Sequence, residues 1–476
     1  MRVDDRAGRP TTPLLARPVR AWARAARALG TTAVAGVAAL AVAGSSPAAA
    51  PTSAGTAPAV GAAATVVNTT APAPTLAAVA SATGRTYYVA PTGSDSNPGT
   101  SAAAPLRSLA AASALALRPG DRLLLRRGGA WTGDLRVDDA GTALAPVTVS
   151  SYGRGPLPRV QGCLRLAADH QVLHQVHVDG CTWSAVQVAG DHALVYNVEA
   201  TGSFAGIEVE PETTGARLLR NWVRDNDRMA PGTTGSDDDY GAHGILVRGD
   251  QAEVAWNHIS GHLADSPDYG TDGAALEVYG AVGTRIHHNV AVDNRAFLEL
   301  GHSRTRDTRV SYNVSRTSVP LAEFVITRGA DPTHGGVLGT VVAHNTAKHS
   351  GAGSQAFWCA PGCAPDVLAL EANVFDITGR IGWADGPLGG RDNLYWGSGV
   401  EHTLLPGDLV ADPRFASPAT GDLHLSAGSP AVDSAGALLA ARASSPTDRV
   451  DADGRRLPRD GDGDRVAVLD RGAFER

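Results

Sequence analysis

Apolar residues in this chain fall in short runs, each closed by glycine or a polar turn. The pairs Ile207/Val209, Ile245/Val247, Leu276/Val278 and Leu298/Leu300 repeat at two residues, the period of a strand with one buried face. A longer repeat overlies it: a short β-rich run, an asparagine, another short run, then glycine. The phrase occurs at Tyr196-Asn197, Arg220-Asn221, Trp256-Asn257, His288-Asn289, Tyr312-Asn313, His344-Asn345, Ala372-Asn373 and Asp392-Asn393. Successive asparagines lie 24, 36, 32, 24, 32, 28 and 20 residues apart. A basic period of 20 to 24 residues with insertions predicts an all-β chain wound into a parallel β-helix, three short strands to each rung. Asparagine suits the sharp turn because it tolerates left-handed backbone angles, and stacked amides would hydrogen-bond in a ladder. A leucine-rich repeat would need a regular leucine pattern that is missing. A β-sandwich would not place one asparagine phrase at a nearly fixed period.

The ends of the chain read differently. Arg17, Arg20, Arg24 and Arg27 precede an apolar run, Ala33 to Ala43, and the small residues Ser46, Ala48, Ala49 and Ala50. That order predicts a secretory signal over 1–50 and an extracellular protein, and the run is too short for a membrane span in the mature chain. Residues 51–84 carry no charge and form an Ala/Thr/Pro linker. The β-helix domain then covers 85–476, with an N-terminal cap over about 85–135 and a C-terminal capping tail over about 405–476. An amphipathic helix is expected from Leu109 to Leu117 within the first cap. Beyond residue 50, 34 basic residues face 46 acidic ones, which argues against nucleic acid as a partner. A monomer is expected.

Four cysteines agree with an oxidising destination. Val160-Gln-Gly-Cys163 and Val178-Asp-Gly-Cys181 repeat one phrase 18 residues apart. One turn of a coil would stack those cysteines about 5 Å apart, within disulfide reach. Cys359 and Cys363 would close a short loop. Zinc is the rival, but the paired spacing of its sites is lacking.

The opening Tyr87-Tyr-Val-Ala-Pro-Thr-Gly-Ser-Asp-Ser-Asn-Pro-Gly-Thr100, with Pro105-Leu-Arg-Ser-Leu109 and Pro119-Gly-Asp121, resembles the start of secreted right-handed parallel β-helix proteins of the pectin-lyase-like superfamily. Asp412-Pro-Arg-Phe415, Leu423-His-Leu425, Gly428-Ser-Pro-Ala-Val-Asp433 and Asp470-Arg-Gly-Ala-Phe-Glu475 resemble its end. The resemblance spans about 85–476 and implies the fold. For function it implies only action on, or binding of, a glycan, because that superfamily holds lyases, hydrolases and adhesins.

Strand alignment exposes acidic chemistry. Gly206-Ile-Glu-Val-Glu210, Gly244-Ile-Leu-Val-Arg248, Ala275-Leu-Glu-Val-Tyr279, Phe297-Leu-Glu-Leu-Gly301 and Glu323-Phe-Val-Ile-Thr327 share a register. Alternation turns Phe324 and Ile326 inward with the pairs above. An outward, exposed column of Glu208, Leu246, Glu277, Glu299 and Val325 results, with Glu323 upstream on the same face. Neighbouring rungs sit about 4.8 Å apart, so Glu277 and Glu299 would touch. Two ionised carboxylates there repel by about 3 kcal/mol at an effective dielectric near 20. The pair is expected to share a proton or bind a cation. A raised pKa beside an ionised partner is the electrostatics of a glycosidase pair, and about 5 Å is the retaining separation. Glu208 and Glu277, about 10 Å apart, lie near the upper limit for an inverting pair. A solvated acidic stripe is the bland alternative.

Insertions at 226–242, 261–273 and 328–340 would wall a groove along this strip. The candidate catalytic residues are Glu277, Glu299, Glu208, Glu323 and Asp272. The candidate substrate-binding residues are His243, Arg248, Tyr279, His302 and Arg304, with a structural role also open for His243. His288 is expected to stack in the turns rather than bind metal. Asp460-Gly-Asp-Gly-Asp464 opens like a calcium loop, but Arg465 and Arg471 stand where an EF-hand needs Gly and Glu.

These features put a glycoside hydrolase acting on a polysaccharide or oligosaccharide first, without a cofactor. A polysaccharide lyase comes second. It needs a base and cations against a uronic carboxylate, and the one lysine is Lys348 outside the column; calcium bridging Glu277 and Glu299 could restore it. A non-catalytic glycan binder comes third.

Overall fold

A computed structural model describes residues 84–229, 239–329, 335–436 and 449–476. The expected signal, and the linker up to residue 83, lie outside them. Three parallel sheets of twelve, ten and twelve strands run the length of the coil. A rung gives one strand to each: Arg285–His287 to the first, Val290–Val292 to the third, Ala296–Gly301 to the second. Every strand within these sheets pairs in parallel with its counterparts on neighbouring rungs, as in Ile286↔Val310 and Ala291↔Ser315. This is the expected all-β, right-handed parallel β-helix with three strands per rung.

Identical registers stack like on like inside. Val195, Leu218, Val254, Ile286, Val310, Val342 and Leu370 occupy one position on successive rungs of the first sheet, all within the core. Such a column excludes water along the whole axis, which is the main stabilising term of the coil. Among the described residues, no helix is long and apolar enough to cross a membrane.

The asparagines form the predicted ladder, with two changes. From Asn221 through Asn257, Asn289, Asn313, Asn345 and Asn373 to Asn393, each side-chain N–H donates to the next Oδ1 at 2.9–3.0 Å. Each Oδ1 also accepts the backbone N–H of the asparagine one rung back, as Asn289 does from Asn257 at 3.0 Å. The first change concerns the left-handed conformation. It belongs to the residue before the asparagine, from Arg220, Trp256 and His288 to Tyr312, His344, Ala372 and Asp392, with φ between 51° and 61°. The second concerns Asn197, which takes φ 56° itself, lies exposed and stands one residue out of register with the ladder. Rings at the preceding position stack as expected: Trp256 on His288 at 4.2 Å, His288 on Tyr312 at 5.4 Å, Tyr312 on His344 at 5.2 Å.

Both disulfides form, Cys163–Cys181 across adjacent rungs with Cα atoms 4.8 Å apart and Cys359–Cys363 within its loop. The first helix is shorter than expected, Leu109–Ser113, capped by the Ser108 hydroxyl accepting from the Ala111 N–H. Pro119 disfavours helix at the residue before it. The tail from Phe415 lies along the outside of the later rungs. Phe415, Leu423 and Phe474 pack on Val314, Val374 and Leu394. His344 Nδ1 donates to the Asp470 carbonyl at 3.0 Å.

Candidate active site

The outer face of the ten-stranded sheet carries one side chain per rung in the order Gln187, Glu208, Leu246, Glu277, Glu299, Ile326, Trp358, Trp383. The expected column therefore holds through Glu299 and then departs by one residue. Ile326, not Val325, is the neighbour of Glu299. On each of these rungs two consecutive side chains enter the core, Ala275 with Leu276, Phe297 with Leu298 and Phe324 with Val325, so Val325 takes the place of Leu298. Ile326 instead packs outside, on Ala274, Ala296 and Trp358. Glu323 falls in the row of His243 and Ala274, three residues upstream of the column.

A second departure concerns exposure. The glutamates were expected on an exposed strand; Glu208, Glu277, Glu299 and Glu323 are each 9% exposed or less. Leu246 and Ile326 flank them in the column, and aromatic rings pack over the earlier rungs. Trp183 stacks on Phe204 at 4.1 Å, Phe204 meets Tyr240 at 5.2 Å, and Tyr240 meets His243 at 4.7 Å. A hairpin of Ala264–Ser266 and Gly270–Asp272, from the expected 261–273 insertion, brings Asp272 to the same place. Residues 230–238 and 330–334 of the other two insertions, with Asp237 and Asp238, lie outside the described residues.

The carboxylates differ sharply in what they receive. Glu208 is saturated: Trp183 Nε1 and Ser184 Oγ donate to its Oε2 at 2.7 Å each, and Arg248 pairs with Oε1 at 3.2 Å. Glu277 accepts one hydrogen bond, from the Tyr240 hydroxyl at 2.7 Å. Burial pushes its carboxyl up to about 7, opposed by the Tyr240 bond and reinforced by the Asp272 charge. His243 Nε2 stands 3.3 Å from the same oxygen without hydrogen-bond alignment. Burial, with His262 beside it, pushes His243 down to about 3, so its ring is neutral. Glu299 makes no hydrogen bond among the described residues. Burial, then the charges of Asp272 and Glu277, hold its pKa well above the carboxylate range. Burial also lifts Asp272 to about 6. Glu323 is raised by burial while Arg295, paired with it, opposes the rise.

The arrangement thus sets Glu299, whose charged form burial and acidic neighbours disfavour, against Glu277, which receives the Tyr240 donor, with Asp272 near both. Of the residues expected to bind substrate, Arg248 is committed to Glu208 and Arg304 to Asp250 and the Gly280 carbonyl. Tyr279 is half-buried against the His302 ring at 5.1 Å. Sequence reasoning missed Tyr240, Trp183 and Arg295, which act through side-chain contacts that no period reveals. It also missed Trp358 and Trp383, although aligning Gln355-Ala-Phe-Trp-Cys359 and Arg380-Ile-Gly-Trp-Ala384 with the glutamate strands places both in the column. In the tail, Asp433, Asp460 and Asp462 bring carboxylate oxygens within 4.8 Å of one another. All three carboxylates accept backbone amides of the 460–464 loop, Asp433 from Gly461, Asp460 from Gly463 and Asp462 from Asp464.

No family model matches the chain. The solved structure of pectate lyase Pel9A superposes with a TM-score of 0.54 at 16% identity, over 82% of this chain and 96% of that one. The two share the fold of a parallel β-helix. A GH136 lacto-N-biosidase structure from Eubacterium ramulus aligns with this β-helix at a TM-score of 0.40 and 15% identity, over 69% of this chain and 67% of that one. Among curated proteins, the lacto-N-biosidase of Bifidobacterium longum subsp. longum is 43% identical over 81 residues, 16% of this β-helix chain. The match spans 5% of that protein's length.

Proposed function

We propose that the protein is a carbohydrate-active enzyme, a secreted glycoside hydrolase in which Glu299 is the proton donor and Glu277 the ionised partner. The observation that carries this reading is the unequal treatment of two register partners. Glu277 has the Tyr240 donor that favours its charged form, while Glu299 has no donor among the described residues and three acidic neighbours, Asp272, Glu277 and Glu323. Environments that push neighbouring carboxyls apart assign the acid and the base. Adjacent rungs place their backbones about 4.8 Å apart, near the retaining separation of about 5–5.5 Å.

In this mechanism the Glu277 carboxylate attacks the anomeric carbon as the glycosidic C–O bond breaks. Glu299 gives its proton to the departing oxygen. Water then attacks the glycosyl ester, returns a proton to Glu299 and frees Glu277, leaving a new reducing end. Burial, helped by the Asp272 charge, favours return of the proton to Glu299 between turnovers. Neutral His243 and the aromatic roof exclude water, which strengthens each of these electrostatic effects. The 81-residue match to a lacto-N-biosidase leans the same way.

A lyase is the second reading, favoured by the fold similarity to a pectate lyase. It must find a cationic base, and Lys348 lies in the third sheet, paired with Asp376 at 2.5 Å. Arg248 and Arg295 are already paired with Glu208 and Glu323. Calcium bridging Glu277 and Glu299 would have to neutralise a uronic carboxylate.

Incubation with neutral and uronic polysaccharides separates the readings when reducing ends and the ultraviolet absorbance of an unsaturated uronide are both followed. Reducing ends alone are expected. Both signals together mean elimination, and neither means binding only. Full activity in Glu277→Gln would remove the assignment of Glu277.

A further inference from the structure

The column does not end with the acids. Beyond Glu299 it continues through Ile326 to Trp358 and Trp383, each in register with the residue before it. At the strand spacing, Trp358 sits about 10 Å and Trp383 about 14 Å from Glu299 along the coil axis. Both indoles are half-buried. Their ring centroids are 6.3 Å apart and the planes are tilted by 37°, so neither ring covers the other.

Two observations bear on what these indoles have free to offer. Trp131 and Trp183 each give their N–H to a partner, the Arg107 carbonyl at 2.8 Å and Glu208 at 2.7 Å. Neither Trp358 nor Trp383 has a hydrogen-bond partner for its N–H among the described residues, although a tryptophan packed into a fold normally finds one. The Arg380 guanidinium lies 5.8 Å from the Trp383 ring centroid, held there by Glu401 at 3.3 Å. The Trp383 ring thus has a fixed cation over one face and its other face left for stacking, and both rings bring an unused donor of their own.

From this geometry we infer that Trp358 and Trp383 form a stacking platform for sugar rings of a neutral oligosaccharide, bound along the coil axis on one side of the cleavage point. An aromatic face receives the C–H face of a pyranose, while the free indole N–H groups and Arg380 reach its hydroxyls. Continuity with the acidic column selects a glycan over a protein partner. The excess of carboxyl groups over arginines around Glu299 selects a neutral chain over a polyuronate. The inference rests on the carbohydrate reading of the column but not on its chemistry.

The test is affinity electrophoresis of the full chain in native gels containing galactan, arabinan, xylan, mixed-linkage β-glucan or polygalacturonate. Glu277→Gln serves as the parent, so that the gel polymer is not consumed. A neutral polymer is expected to retard the parent. Trp383→Ala and Trp358→Ala are each expected to weaken that retardation about tenfold, and Trp383→Phe to restore most of it. The Phe variant separates a lost platform from a lost fold. Equal retardation of all variants, retardation by polygalacturonate alone, or no retardation of the parent overturns the platform. Retardation that depends on both tryptophans, with no cleavage by the unsubstituted protein, sinks the hydrolase and leaves the platform standing.

Discussion

Two stacks of like side chains run up this coil, and they differ in kind. The asparagine ladder from Asn221 to Asn393 is closed on itself, since each amide both donates to and accepts from its neighbours. The carboxyl groups of Glu277 and Glu299 stack at the same rung interval, but a carboxylate only accepts. An amide column in a dry interior is self-satisfying. A carboxylate column there is frustrated, and the frustration shows as raised pKa values at Glu277, Glu299 and Asp272. Polar stacking is therefore a structural device when the group is bifunctional, and a store of reactivity when it is not.

The comparison breaks most visibly at Glu277. Glu277→Gln is expected to cut turnover by about 10³-fold or more, read as reducing ends released. Its effect on folding should have the opposite sign to that of a structural loss. Because burial raises the carboxyl from 4.5 to about 7, the stability it contributes is fully present below about pH 4.5 and is lost as pH rises through about 7. The variant should thus melt above the parent at pH 8, with the difference vanishing at pH 4. A variant that melts lower at pH 8 would return Glu277 to the structural class.

Asn289→Ala strikes the other stack. It strips a partner from the Asn257 side chain, the Asn257 backbone N–H, the Val254 carbonyl and the Asn313 side chain. Chemical denaturation should show a loss on the order of 3 kcal/mol, because the stranded groups are buried.

Tyr240→Phe and Asp272→Asn sharpen the contrast from inside the site. Without the Tyr240 donor the charged form of Glu277 is less favoured, so the acid limb of the pH–rate profile should move up by about one unit. Removing the Asp272 charge lowers the pKa of Glu299, so the basic limb should move down. Shifts in the same direction would dismiss the division of roles. The smallest effect is expected at Asn197→Gly. This exposed residue stands outside the ladder with φ 56°, and the change should stay within about 0.5 kcal/mol by thermal melting. A loss as large as that of Asn289→Ala would mean that the ladder extends one rung further.

The chain order carried the winding. An asparagine every 20 to 36 residues, with alternating apolar pairs between, was enough to place strands, rungs and the ladder, and a cysteine phrase repeated after 18 residues placed the Cys163–Cys181 bridge. It was enough because stacked rungs turn a period in sequence directly into a column in space. The same logic brought Glu208, Glu277 and Glu299 to one face. It failed at Val325 and Ile326, because Val325 rather than Phe324 is the partner of Leu298, which shifts the whole strand by one residue from the aligned register. It failed again for asparagine in the turn, where the left-handed residue is the one before the amide. Periodicity says which residues line up but nothing of what covers them. Burial of the glutamates, the donors from Tyr240 and Trp183, and the pairing of Arg295 with Glu323 come from aromatic and charged side chains of loops without a repeat. Only the folded arrangement could decide them, because desolvation and a hydrogen bond depend on three-dimensional neighbours rather than on spacing along the chain.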